Sequence, residues 1–263
     1  MSTAGLPGSL LDFGPAALAA VVVAGYLVVG EPVAGHVLHR RFEGRLRSDP
    51  GARRSFYLRL LILEWGLALL ALVVWLAAPG VDAGQLGLRW PQQWPGPLTG
   101  LVLLLVLAFV VVSTRALRGG ALLEVAEPVR RPGDGRHAEP AGHATLALLP
   151  RTAGERRLFT VVGVTAGVCE EWLYRGFFLA VVSAVAGGMP TGVLVVVAAV
   201  AFGLAHAYQG RAGVLTTGLL GGVMAALYLQ TGSLLLPVLL HAAIDLRFLL
   251  VPSRVLPAGR TVA

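Results

Sequence analysis

The sequence predicts an all-α membrane protein, a polytopic bundle of about seven transmembrane helices and at most eight. Of the 263 residues, 56% are apolar and 13% are charged, whereas roughly a quarter of the residues in an average soluble domain are charged. Several apolar runs approach or exceed the length of about 20 residues that a helix needs to cross a bilayer. Composition therefore excludes an ordinary soluble enzyme and a disordered chain.

Seven apolar runs are the candidate helices. They cover residues 15–37, 57–78, 97–114, 158–187, 190–208, 213–230 and 233–251. The first three runs are rich in Leu, Val and Ala and contain few polar groups, whereas the last four contain nearly all the polar residues of the apolar runs. We therefore expect the functional site in the C-terminal four helices.

Arginine placement predicts the orientation of the bundle. The sequence contains no lysine, and its arginines concentrate in residues 40–54 and 115–157, while residues 79–97 contain only Arg89. Because positively charged loops stay on the cytoplasmic side, we expect an N-terminus outside the cell membrane and a cytoplasmic C-terminus. The same pattern explains the basic pI of about 10.7 without nucleic-acid binding, so the partner expected from composition is the lipid bilayer.

A stretch rich in Pro, Gly and Arg divides the chain into two parts. It lacks apolar periodicity and contains Pro128, Pro132, Gly133 and Pro140, which is typical of a linker. The predicted organisation is an N-terminal part of three helices (1–117), a cytoplasmic linker (118–156), a core that contains the expected functional site (157–251) and a cytoplasmic tail (252–263).

The fourth apolar run contains two adjacent acids and an arginine, Glu170, Glu171 and Arg175. Ionisable side chains inside a transmembrane helix are costly and indicate function. Glu171 and Arg175 are four residues apart, so they lie on the same helix face, at about 40° to each other, and can form an ion pair. Glu170 points about 100° away from Glu171, which leaves it available as a general base.

Two further motifs follow on the later helices. Phe202 and His206 are separated by one helical turn, as are His241 and Asp245 in the last run. The Asp245 carboxylate can orient the His241 ring or accept a bond from a substrate. Two acidic residues in the N-terminal part, Glu31 and Glu64, can line a cavity onto which these polar groups face.

Together the three motifs resemble the CPBP family of intramembrane proteases, which includes the CAAX prenyl endopeptidases and bacteriocin-processing relatives. The similarity covers roughly residues 157–251 and includes Thr231, Gly232, Ser233 and Pro237 shortly before His241. It implies that residues 157–251 are the catalytic core of an intramembrane endopeptidase, whose partner is a peptide or membrane-protein substrate. By this resemblance Glu170 and His206 activate a water, and His241 and Asp245 stabilise the oxyanion. It also implies that Glu171, Arg175 and Phe202 support the site.

Two alternatives remain open at this stage. The family has been described under both metalloprotease and glutamate-type headings, and Glu170, His206 and His241 are a possible zinc ligand set. The cofactor is therefore either none or zinc, and the absence of a His-Glu-x-x-His motif favours the metal-free site. The other alternative is a non-catalytic membrane immunity or binding protein that keeps the same motifs.

Overall fold

The structure is a computed structural model that describes residues 5–46, 48–119 and 147–252, and every described regular element is helical. The helices are α1 (Ala17–Arg45), α2 (Ala52–Leu76), α3 (Pro97–Arg118), α4 (Ala153–Glu171), α5 (Leu179–Val185), α6 (Thr191–Ala205), α7 (Gly210–Thr231) and α8 (Leu235–Leu246). A π-helical segment, Trp172–Phe178, joins α4 to α5, so the seven predicted runs correspond to seven continuous helical rods. The all-α prediction is confirmed.

By length and composition, four helices of the described ranges can cross a membrane. They are Leu10–Arg45, which includes a short 3-10 turn before α1, together with α2, α3 and Ala207–Thr231. The shorter helix α6 is also apolar. Large apolar side chains are exposed along these helices, for example Leu104, Val112 and Leu219, and exposed apolar surface of this kind is typical of helices in contact with lipid.

Several boundaries differ from the expected ones. Helix α1 continues to Arg45, through part of the segment that the sequence assigns to a loop, because arginines are good helix formers and end a helix favourably. Helix α4 begins at Ala153, four residues before the predicted core. Its start is a capping box: the Thr152 hydroxyl accepts a bond from the Glu155 N–H, and the Glu155 carboxylate accepts one from the Thr152 N–H.

The predicted linker and tail lie mostly outside the described residues, which omit 120–146 and 253–263. The described end of the linker, residues 147–152, contacts α2. Arg53 donates a hydrogen bond to the Ala147 carbonyl at 3.0 Å, and the Tyr57 hydroxyl donates one to the Leu148 carbonyl.

The N-terminal helices pack directly on the C-terminal ones. The Trp172 indole N–H donates to the Ala68 carbonyl, and the Tyr174 hydroxyl donates to the Leu27 carbonyl, both from the π-helical segment. The Trp65 indole donates to the Thr165 hydroxyl at 3.2 Å. Because buried donors in an apolar bundle need partners, these bonds fix α1 and α2 against the α4 rod.

Close helix approach depends on small residues. A Cβ at Gly167 would lie 3.0 Å from both the Ala242 Cβ and the Ala242 nitrogen, so α4 touches the backbone of α8 there. A Cβ at Gly203 would lie 2.8 Å from the Val214 carbonyl oxygen, so α6 and α7 also pack backbone to backbone. The first contact places α8 beside the polar residues of α4, and the second holds α6 against α7.

The end of the bundle that lacks arginine-rich segments is covered by the loop between α2 and α3. The Arg89 Nε donates to the Gly232 carbonyl, and the Ser233 hydroxyl donates to the Arg89 carbonyl. Gly232 ends α7 with a φ of 66°, a left-handed conformation that favours glycine. The loop therefore holds the tight α7–α8 turn from which the last helix starts.

Candidate active site

Three helices bring the predicted acid and histidines together. The Glu170 Oε2 atom on α4 lies 4.0 Å from the His206 Nε2 at the end of α6 and 3.9 Å from the His241 Nε2 on α8. The Asp245 Oδ2 lies 3.7 Å from the same His241 nitrogen. These separations exceed a direct hydrogen bond and leave room for a water molecule bonded to two of the groups.

The predicted ion pair is present and fully buried. The Arg175 Nη1 donates to the Glu171 Oε1 at 3.0 Å, and both side chains are 0% exposed. The Arg175 Nη2 donates to the Gly221 carbonyl on α7. The pair therefore neutralises the Glu171 charge inside the bundle and ties α4 to α7.

Glu171 also contacts a residue that the helical spacing did not connect with it. Its Oε1 lies 2.7 Å from the His241 Nδ1, in addition to its bond with Arg175. From the sequence, Asp245, one turn away on the same helix, is one group that can orient His241, or it can accept a bond from a substrate. In the structure a shared carboxylate oxygen of Glu171, on another helix, accepts the Nδ1–H of His241 and directs Nε2 toward Glu170 and Asp245.

The ring of His206 is oriented by its own helix. Its Nδ1 lies 2.9 Å from the Phe202 carbonyl oxygen, and a carbonyl can only accept, so Nδ1 carries the hydrogen. The Nε2 of a neutral His206 ring therefore presents a lone pair toward Glu170. This geometry suits a group that exchanges protons with a water held by Glu170.

Phe202 lies between the charged groups of the site. The Arg175 guanidinium carbon is 4.2 Å from the centre of its ring, at cation–π distance. The His206 and His241 ring centres lie 4.6 Å and 5.9 Å from it. All three residues predicted to support the site, Glu171, Arg175 and Phe202, thus contact one another or the histidines.

The polar groups face a cavity of about 430 Å³, a volume typical of a ligand site. Its walls are mainly apolar and come from α1, α2, α4, α6, α7 and α8. Glu31 and Glu64 line it, as the sequence suggested. Tyr208, which the helical patterns did not single out because it lies in a 3-10 turn, also lines it, and its ring centre is 5.9 Å from that of His206.

The zinc alternative requires three side chains that are placed to bind one metal ion. Within residues 5–46, 48–119 and 147–252, no group of three His, Cys, Asp or Glu side chains is arranged to hold a metal ion. Both histidine Nε2 atoms nevertheless point toward Glu170. A chelation experiment therefore distinguishes the zinc site from the metal-free one.

One carboxylate and two histidines that face a mainly apolar cavity are side chains able to activate a water for hydrolysis. Residues 153–247 match the family model of the Rce1-like proteins, described as type II CAAX prenyl endopeptidase Rce1-like. This match confirms the resemblance to the CPBP/CAAX proteases that was drawn from the three motifs. The matched family consists of CAAX-type endopeptidases, which are peptide hydrolases, and four described helices are long and apolar enough to cross a membrane.

The matched segment contains every residue predicted for the site: Glu170, Glu171, Arg175, Phe202, His206, His241 and Asp245. It is little more than a third of the chain and leaves out α1, α2 and α3. Comparisons with curated proteins and with solved structures gave no match.

Proposed function

We propose that the protein hydrolyses a peptide bond of a membrane-associated substrate with a water activated by Glu170 and His206. The proposal depends above all on one observation: the Glu170 Oε2 lies within 4.0 Å of two histidine Nε2 atoms from two other helices, in a cavity. A carboxylate and an imidazole on either side of a water can take its proton as it attacks the carbonyl carbon.

His241 and Asp245 are the proposed oxyanion donors. When the carbonyl becomes tetrahedral, its oxygen gains negative charge and needs preorganised donors. His241 can donate from Nε2 as an imidazolium, since Glu171 accepts from its Nδ1 and the Glu170 carboxylate lies 3.9 Å from its Nε2. Asp245 donates if its carboxyl group is protonated.

The reaction is completed by proton transfer to the leaving amine. The proton that Glu170 and His206 remove from water passes to the amine nitrogen as the C–N bond breaks, and the products are a carboxylic acid and an amine. Apolar walls suit an extended peptide segment whose own helix has locally opened.

Orientation in the membrane is part of the proposal. Most of the described arginines lie at one end of the bundle, where α1 ends and α2 and α4 begin, and Arg89 lies at the opposite end. By the positive-inside rule, we assign the arginine-rich end to the cytoplasm.

The test is cleavage of a membrane-peptide library by the purified, detergent-solubilised protein. We expect product with wild type, at least a hundredfold less with Glu170→Gln, in line with the loss of a general base, and unchanged activity in a strong zinc chelator. Glu170→Gln is nearly isosteric, so a binding protein would tolerate it. Unchanged cleavage by Glu170→Gln would overturn the assignment, and loss on chelation would favour the zinc enzyme.

A further inference from the structure

Two acids face the site from helices that the family match does not include. Glu31 on α1 and Glu64 on α2 line the same cavity as Glu170 and Asp245. Each lies close enough to interact with the charge of Glu170, and Glu64 also interacts with the charges of Asp245 and His241. The N-terminal helices thus add an acidic wall, Glu31 and Glu64, to the cavity.

The acidic wall has no cationic partner within the described ranges. None of their salt bridges involves Glu31 or Glu64. The Glu64 Oε2 is buried and has no hydrogen-bond partner there. Burial of a carboxyl group without a partner is costly. A ligand that brings a hydrogen-bond donor or a cation to Glu64 is therefore bound favourably in the cavity.

The positively charged groups near the wall already have other contacts. The Arg175 guanidinium is bonded to Glu171, and Arg247 donates to the Ile244 carbonyl and lies over the Phe248 ring. The histidine rings lining the cavity contact other groups as well: His39 is bonded to Glu43, His206 to the Phe202 carbonyl and His241 to Glu171. Four carboxyl groups, those of Glu31, Glu64, Glu170 and Asp245, therefore face the cavity with Arg247 as the one arginine among its described lining residues.

We infer that the peptide segment bound in this cavity carries a Lys or Arg side chain, which pairs with the acidic wall formed by Glu31 and Glu64. A cation there would be attracted strongly because the surroundings are apolar, and an acidic side chain would be repelled by the same groups. This inference rests on the proposed function and adds a substrate class to it: segments with a basic residue near the cleaved bond.

The experiment uses one membrane peptide that the wild-type protein cleaves, and replaces each residue near its cleaved bond in turn by Lys, Gln or Glu. At one position we expect kcat/KM for the Lys peptide to exceed that for the Gln peptide by about tenfold or more, the effect of one buried charge pair, with the Glu peptide the poorest. Glu64→Gln and Glu31→Gln should each reduce this ratio, mainly through KM, and together remove it.

Asp49→Asn is the matched control, because Asp49 lies in the loop between α1 and α2, outside the cavity, and is paired with Arg45. It should keep the wild-type ratio. Equal cleavage of the Lys, Gln and Glu peptides at every position would overturn the inference, as would a Lys preference that survives the double variant. Failure of the proposed function looks different: cleavage would then be absent or independent of Glu170.

Discussion

The Nδ1 of His241 lies 2.7 Å from the Glu171 Oε1, across the interface between α4 and α8. The same oxygen accepts a bond from Arg175. One buried carboxylate therefore connects an ion pair that stabilises the bundle with a histidine that faces the cavity. Changes at Glu171 should affect both stability and activity, and the two effects can be separated.

Arg175→Met tests the contribution of the ion pair to stability. Removing the guanidinium leaves the Glu171 charge buried without its cation, and loss of one partner of a buried pair costs about 3–5 kcal/mol. We expect a clearly lower midpoint of thermal unfolding in detergent.

The double variant Glu171→Leu with Arg175→Met removes both charges and should recover much of that stability. It should remain inactive, because nothing then accepts the His241 Nδ1–H. A double variant that is as unstable as Arg175→Met would contradict this account.

Asp245→Asn separates two possible roles of Asp245. An asparagine amide donates hydrogen bonds as a protonated carboxyl does, so we expect Asp245→Asn to keep most of the kcat. Asp245→Leu keeps the number and branching of the side-chain heavy atoms but cannot donate, and it should lose about a hundredfold in kcat, as for removal of an oxyanion donor. The measurement is kcat on one cleaved membrane peptide; a large loss with Asn would assign the essential function to the charged carboxylate instead.

Gly167→Ala should disturb the geometry of the site without touching its polar residues. The added Cβ would lie 3.0 Å from the Ala242 backbone nitrogen and would push α8 away from α4, which separates His241 from Glu170. Misplacement of catalytic groups by about 1 Å can cost a hundredfold in rate. Gly66→Ala is the control, since a Cβ there meets nothing within 4 Å, and it should keep full activity; equal activity of both variants would show that this contact does not set the site geometry.

Membrane orientation can be checked by thiol labelling. In a Cys169→Ala background, we expect a membrane-impermeant reagent to label Gln92→Cys on intact cells and to label Ser48→Cys only after the membrane is opened. Both side chains are exposed, and they lie at opposite ends of the bundle. The reverse pattern of labelling would invert the proposed topology.

The sequence predicts much of this site because its key groups recur at helical spacing. The four-residue interval identifies the Glu171–Arg175 pair, and the same interval marks Phe202 with His206 and His241 with Asp245. The all-helical fold follows from apolar runs alone. Periodicity predicts which residues share a face of one helix, but it does not specify which helices become neighbours.

The remaining features depend on tertiary contacts or on local backbone changes. The bond between Glu171 and His241 joins residues 70 positions apart, and no helical pattern connects them. The π-helical turn at Trp172–Phe178 leaves no mark in composition, since it depends on how the rod packs. Hydropathy also placed the end of α1 too early, because it does not distinguish a charged helix end from a loop.

The contacts between Arg89 and the α7–α8 turn bear on where water enters the protein and where cleavage products leave it. They hold the loop and the turn together at the end of the bundle that is poor in arginine. The cavity extends toward the opposite end, where Tyr57, Leu148 and Phe248 line it. Water consumed by the reaction and fragments leaving it should therefore pass through the arginine-rich end. On the proposed function and orientation, we expect the products to be released into the compartment that the arginines face.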